Sequence, residues 1–288
     1  MRYVRELSNR NKIVSEHTCK SFYKPSDNGA YTIKFVFEGV ESCIINTRNI
    51  SIFPDSFVVL NSGTDYNSAI DSITPVNTLS LSFDTNFVRD FNNSCQLDAD
   101  SLLDGKSEDA PLFIETLYPF IGDMRYNIMH LKEQIEKGHD NEMLINEYLH
   151  HCLLNYYGIY RKEVVQKINQ LSFIKTKTKE EILKRLVLAK EYINSNFNHN
   201  VLLENISTYC CLSVNHLLRT FKEAYGISPY QYLMQLRINR AKHLLKTTDY
   251  PLSEVVGLVG FENTSSFIRL FKHATQMTPS KFRKEQCA

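Results

Sequence analysis

The chain has 288 residues, with 33 Lys/Arg against 32 Asp/Glu, and is long enough for two ordinary domains with buried cores. The near-neutral total hides a division: residues 1–170 carry 16 Lys/Arg and 23 Asp/Glu, net −7, whereas residues 171–288 carry 17 and 9, net +8. Seven scattered cysteines do not form a disulfide framework, and neither a membrane span nor a secretory leader is visible, so a reducing, cytoplasmic setting is expected.

Strand signals begin at Tyr31–Phe37, whose alternation is mixed, and continue through Cys43–Ile45, Ile50–Phe53 and Phe57–Leu60. Gly39, Pro54-Asp55 and Ser62-Gly63 supply the turns. Thr78–Phe83 alternates cleanly and places Leu79, Leu81 and Phe83 on one face. Several short strands so punctuated predict a small antiparallel barrel or sandwich. A metal-dependent enzyme on such a scaffold needs clustered His and carboxylate ligands, and His17 is the only histidine before residue 130.

Helices are expected over Asp109–Phe120, Met124–Lys137 and Glu142–Tyr157. In the third, Ile145, Leu149, Cys152, Leu153 and Tyr156 form an apolar stripe. His150 and His151 are adjacent and do not share a helix face, so one packed and one solvated histidine is the simpler reading. His139-Asp140 marks a turn. The expected division is an effector-sensing or dimerisation domain over 1–160, a junction over 161–179 and a helical domain over 180–288. Lys175, Lys177 and Lys179 alternate with threonines in that junction, as phosphate contacts or as a solvated linker face. A helix follows to Asn194, with Ile182, Leu186, Ala189, Tyr192 and Ile193 inward.

From Val201 onward one helical unit is written twice. Arg219, Phe221-Lys222, Ser228-Pro229 and Tyr232 recur at an offset of 50 as Arg269, Phe271-Lys272, Thr278-Pro279 and Phe282. Upstream the offset is 49, pairing Ile206 with Val255 and Leu212 with Phe261, so one copy holds an extra residue in its turn. Each copy reads as helix, turn, helix, with Ser213 and Asn263 as N-caps of the second helices. Pro229–Lys246 predicts a helix between the copies. This is the grammar of a helix-turn-helix, whose second helix enters a DNA major groove. Cys210-Cys211 adjoins the first turn without a close second ligand pair, which favours packing over metal or redox chemistry.

The ordered words Ser213-x-x-x-Leu217-x-x-x-Phe221-Lys222-x-x-x-Gly226-Ile227-Ser228-Pro229, Tyr232-Leu233-x-x-x-Arg237-Ile238-x-x-Ala241-x-x-Leu244-Leu245, Gly260-Phe261, Phe267-x-x-x-Phe271-Lys272 and Thr278-Pro279 resemble the DNA-binding domain of the AraC/XylS family of bacterial transcription regulators. The resemblance covers under a third of the chain. It implies that Asn215, Leu218 and Arg219 lie on the first base-reading face and Thr264, Ser265 and Arg269 on the second. His216 joins the first set by its position near the exposed face. Leu218 departs from the polar residue the family expects, Cys211 replaces a common turn glycine, and Gln276 stands where the second unit usually has glycine. Arg219 and Arg269 are read as guanine-contacting residues, with phosphate bridging or simple solubilisation as the alternatives. Lys222, Arg237, Arg240, Lys242 and Lys272 are candidate phosphate contacts, Arg237 being equally suited to pinning the two units together.

The resemblance further implies a cupin-like amino-terminal barrel that senses a small effector, pairing into a homodimer through residues 110–160, and RNA polymerase as a further partner. The expected function is a sequence-specific transcription regulator, an activator by family resemblance, with double-stranded DNA as its partner and no cofactor, metal or membrane. A constitutive DNA-binding module without a ligand is the alternative. An enzyme is a distant third, since no nucleotide-binding glycine motif or catalytic set emerges.

Overall fold

Strands dominate the first half of the chain and helices the second. The computed structural model describes residues 2–25, 29–96, 111–138 and 141–286. Two compact units result, Met1–Gln166 and Lys167–Ala288.

The first unit is built on one antiparallel sheet of β1 (Arg2–Glu6), β2 (Lys12–Tyr23), β3 (Tyr31–Glu38), β4 (Glu41–Ile45), β5 (Arg48–Ile52), β6 (Ser56–Leu60), β7 (Tyr66–Phe83) and β8 (Leu117–Pro119). The main path runs β1-β2-β7-β3-β6-β8, and β4 with β5 branches from β7. This corrects the expected cupin-like barrel or sandwich: the sheet is not closed, and no pairing joins β1 to β8 among the described residues. The reason lies in β7. Its 18 residues serve two partners on one edge, β4 through 66–69 and β3 through 77–83, while β2 runs along the other edge. Between Thr18↔Val76 and Lys20↔Asp71 the register slips, leaving 72–75 unpaired with β2 and including Pro75, which has no N–H to donate. The sheet therefore forks instead of meeting its own far edge. Buried Val36, Ile45, Ile50, Leu60, Tyr66 and Ile70 pack together between the arms.

Strand β3 is buried on both faces, which explains its mixed alternation. Its Phe35 belongs to an aromatic cluster that includes Phe57 at 5.2 Å and Phe120 at 5.0 Å between ring centroids. Leu79, Leu81 and Phe83 are all buried, as their alternation predicts. The helix expected over 109–120 is absent from its described part. Asp109 lies outside the described residues, and Leu117–Pro119 instead forms the terminal strand β8, paired to β6, where Pro119 is tolerated at the sheet edge. The expected His139-Asp140 turn also lies outside the described residues.

The unit also contains α1 (Thr85–Gln96), α2 (Gly122–Glu136) and α3 (Glu142–Tyr160). All five residues of the predicted α3 stripe are buried, and Asn141 caps the helix by accepting from the Leu144 N–H at 3.2 Å. Within the expected junction, Arg161–Val165 forms a π-turn and Gln166–Gln170 a short helix, α4.

The second unit holds α5 (Thr176–Asn196), α6 (Leu203–Tyr209), α7 (Val214–Tyr225), α8 (Pro229–Thr247), α9 (Leu252–Leu258), α10 (Thr264–Thr275) and α11 (Pro279–Gln286). Helices α6 and α9 have 7 residues each, and α7 and α10 have 12 each. The extra residue predicted by the changing offset therefore sits in the second turn, 259–263 against 210–213. Helix α5 packs on α6 and α7, as α8 packs on α9 and α10, so the repeated unit is three helices rather than two. Leu217 and Phe221 are buried in the first repeat, Phe267 and Phe271 in the second. Ser228 and Gln231 form a reciprocal capping box at the start of α8, next to Pro229 in its first turn.

Candidate nucleic-acid interface

The two second helices of the turns, α7 and α10, are set by their caps. Ser213 Oγ accepts from the His216 N–H at 3.3 Å, and Asn263 Oδ1 accepts from the Ser265 and Ser266 N–H groups at 2.8 and 3.2 Å. These bonds satisfy amides that a helix start otherwise leaves without partners. Past each cap the apolar residues turn inward at helical spacing, leaving the intervening positions outside.

On α7, Asn215 and Arg219 are exposed, while Leu218 is half-buried. The Arg219 side chain is 62% exposed, with Nε 4.0 Å from Glu223 Oε1 and the guanidinium 6.0 Å from the Phe173 ring. His216 is half-buried: its imidazole meets Phe173 edge to face at 5.8 Å, and Nε2 is shut off from solvent without a hydrogen-bond partner among the described residues. On α10, Thr264, Ser265 and Arg269 are all exposed, and Arg269 has no ion-pair partner among the described residues. The structure thus gives the two arginines matched positions at the repeat offset and separates His216 from its exposed neighbours.

The phosphate candidates divide sharply. Lys222 and Lys272 are exposed near the ends of α7 and α10, and Lys242 is half-buried on α8. Arg237 and Arg240 are buried, each at 8% exposure. Arg237 donates from Nε to the Phe197 carbonyl and from Nη2 to the His199 carbonyl, both at 2.7 Å, and stands 5.5 Å from the Phe261 ring. Burial draws its pKa below the ordinary arginine value. The Arg240 guanidinium lies 5.9 Å from the Phe197 ring. Both arginines thus lie in the seam between α8 and the 197–199 segment.

Two long-range contacts in this region are not legible in the sequence. Arg185 on α5 donates from Nη1 to the Cys211 carbonyl at 2.6 Å, fixing the first turn. Gly260, in the second turn, has φ +80°, and a Cβ there would stand 2.8 Å from Asn198 backbone atoms. The glycine itself was the available signal, but nothing local indicated which backbone would approach it.

Among the described residues, no group of three or more His, Cys, Asp or Glu side chains is placed to hold a metal ion, and no helix is long and apolar enough to cross a membrane.

A helix-turn-helix domain family matches residues 206–285. The bifunctional transcriptional activator/DNA repair enzyme AdaA of Bacillus subtilis is 38% identical over 97 residues, covering 34% of this chain and 46% of the relative. The uncharacterised HTH-type regulator YdiP of Escherichia coli is 31% identical over 112 residues, covering 38% and 37%. This chain therefore spans less than half the length of either relative. Among solved structures, the carboxy-terminal domain of the response regulator yesN from Fusobacterium nucleatum is 35% identical, with 33% of this chain and 94% of that chain covered and a TM-score of 0.32.

Proposed function

We propose that this chain, homologous to AraC/XylS-type helix-turn-helix transcription regulators most strongly over its carboxy-terminal region, is a sequence-specific DNA-binding regulator of transcription. The observation that carries the reading is the repeated placement of an exposed arginine on a capped twelve-residue helix, Arg219 on α7 and Arg269 on α10. An arginine so presented suits the paired acceptors O6 and N7 of guanine, which are available only in the major groove. Asn215, Thr264 and Ser265 accompany them as shorter donors and acceptors. Leu218 offers apolar contact with a thymine methyl group, so the first helix reads fewer hydrogen-bonding groups than the second. The net charge of +8 over residues 171–288 favours a polyanionic partner.

The amino-terminal unit is assigned a small effector and self-association into a homodimer, through which it controls how the helices meet DNA. Activation is the assigned polarity, supported by the description of the Bacillus relative as a transcriptional activator, and RNA polymerase is the further partner this requires.

The test is selection of duplexes from a randomised library by the purified chain, followed by titration of the recovered sequence. A recovered consensus containing guanine is expected. Arg269→Ala should lose about 1–3 kcal/mol of discrimination at one base pair, roughly 5- to 150-fold. Absence of any sequence preference in the library, with and without candidate effectors, sinks the reading.

A further inference from the structure

A cavity of about 730 Å³ lies between the start of α5 and the first turn, with Lys175, Lys177, Lys184 and Arg185 on one side and Ser213 and His216 on the other. Four cations line it against two carboxylates, Glu180 and Glu181. Glu181 is taken up by Arg185, 3.1 Å away, and Arg185 is further committed to the Cys211 carbonyl. Lys175, Lys177 and Lys184 remain exposed, with no ion-pair partner among the described residues.

The second repeat has a cavity of about 480 Å³ between α8, the second turn and the 198–201 segment, and its chemistry differs. There Tyr230 and Met234 line the helix side in place of lysines, Glu262 stands in the turn, and the lining arginine is Arg237, whose guanidinium is already bonded to two carbonyls. One architecture thus has two electrostatic characters. The basic one adjoins the recognition helix with the apolar substitution, Leu218.

We propose that this basic cavity is a grip on DNA backbone phosphate, formed by Lys175 and Lys177, which gives the first repeat affinity without sequence choice. The inference rests on the DNA-binding reading. A recognition helix meets base edges with its amino-terminal residues, so the phosphates flanking that groove pass beside the first turn of α7, where Ser213 and His216 border the lysines. Contacts of this kind position a protein on the duplex and carry no base information. The first repeat then adds hold to the reading by Arg219, while the second, without such a grip, contributes selection.

The experiment compares the full chain with the double variant Lys175→Gln/Lys177→Gln on a duplex recovered from the library and on an unrelated duplex, across a salt series. Losing two phosphate contacts lowers the slope of log K against log salt by about 2. Affinity should fall about tenfold or more at low salt on both duplexes, with their ratio unchanged and thermal unfolding unaltered. Lys175→Arg/Lys177→Arg should keep the slope. An unchanged slope in the glutamine variant overturns the proposal, as does a loss confined to the recovered duplex. Tight calorimetric binding of inorganic phosphate that disappears in the variant would replace it with a small-anion site. If the unaltered chain binds no duplex at any salt, the DNA reading itself falls.

Discussion

Arg237 donates through Nε to the carbonyl oxygen of Phe197 at 2.7 Å, which ties the helix opening the second repeat to the C-cap of α5, the helix opening the first. The same guanidinium reaches His199 and faces Phe261, so one side chain holds parts of both repeats. Arg237→Met should cost about 3 kcal/mol, because hydrogen bonds to charged groups contribute about 1.5–3 kcal/mol and two carbonyls lose their donor. Lysine should not restore the loss, since an ammonium lacks the planar fork. Urea unfolding measures the cost. A variant of unchanged stability whose salt dependence on DNA fell by about one unit would show the arginine acting on phosphate instead.

The repeats distribute their left-handed residues reciprocally. Cys211 at φ 53° corresponds to Gly260 at φ 80°, and Gly226 at φ 75° corresponds to Gln276 at φ 61°. A left-handed conformation costs a side-chain-bearing residue about 1–2 kcal/mol, partly offset by the backbone entropy glycine loses on folding. Cys211→Gly and Gln276→Gly should therefore each stabilise the chain by about 0.5–1 kcal/mol. Gly260→Ala should destabilise it by about 3 kcal/mol or more, adding steric conflict with Asn198 to the unfavourable φ. Differential scanning calorimetry of the three variants checks the order, and an inert Gly260→Ala would contradict the close approach.

Inside the forked sheet Lys34 Nζ lies 2.6 Å from Glu41 Oε1 and donates to Ser68 Oγ at 2.7 Å, with both charged side chains almost wholly buried. Burial alone pulls the lysine pKa down, but attraction to Glu41, with Cys43 and Tyr66 adding to it, reverses the direction and leaves it above the ordinary lysine value. A raised folded pKa means that this contribution to stability is fully present below the ordinary lysine range and is lost as pH rises through the folded value. Glu41→Gln should cost about 3–5 kcal/mol by stranding the ammonium, whereas Lys34→Met/Glu41→Leu should recover most of that loss. Chemical denaturation at neutral and strongly alkaline pH gives both comparisons.

Thiol reactivity should divide by burial. Desolvation pushes the Cys43 thiol up to about 12 and raises those of Cys152 and Cys210, while Cys211 is exposed. Since the thiolate is the reactive form, iodoacetamide at pH 8 should modify Cys211 early and leave Cys43 and Cys152 intact until the chain unfolds. Peptide mass mapping over a time course reads the sequence of events. Early modification of Cys43 would contradict its enclosure between the sheet arms.

The helical repeat was legible because its signals are local: Leu217 and Phe221, then Phe267 and Phe271, recur at helical spacing, and Ser213 and Asn263 cap within three residues. The α3 stripe was readable for the same reason. Strands β1 and β2 escaped notice because β1 is an edge strand with no fully buried residue and β2 has only one, leaving little alternation to detect. The fork depends on which distant strands β7 pairs with, and neither Tyr66–Ala69 nor Asn77–Phe83 encodes a partner by its own pattern. For Arg237, two roles stayed open in the sequence because the carbonyls it meets belong to a segment nearly forty residues earlier.

Both arms of the sheet branch from β7, and the slip that leaves residues 72–75 unpaired with β2 falls between their attachment points. Any wedge that spread Ile45 from Leu60 would therefore open a buried cluster to which β7 itself contributes from both sides of that slip, Tyr66 and Ile70 before it and Val76 after it.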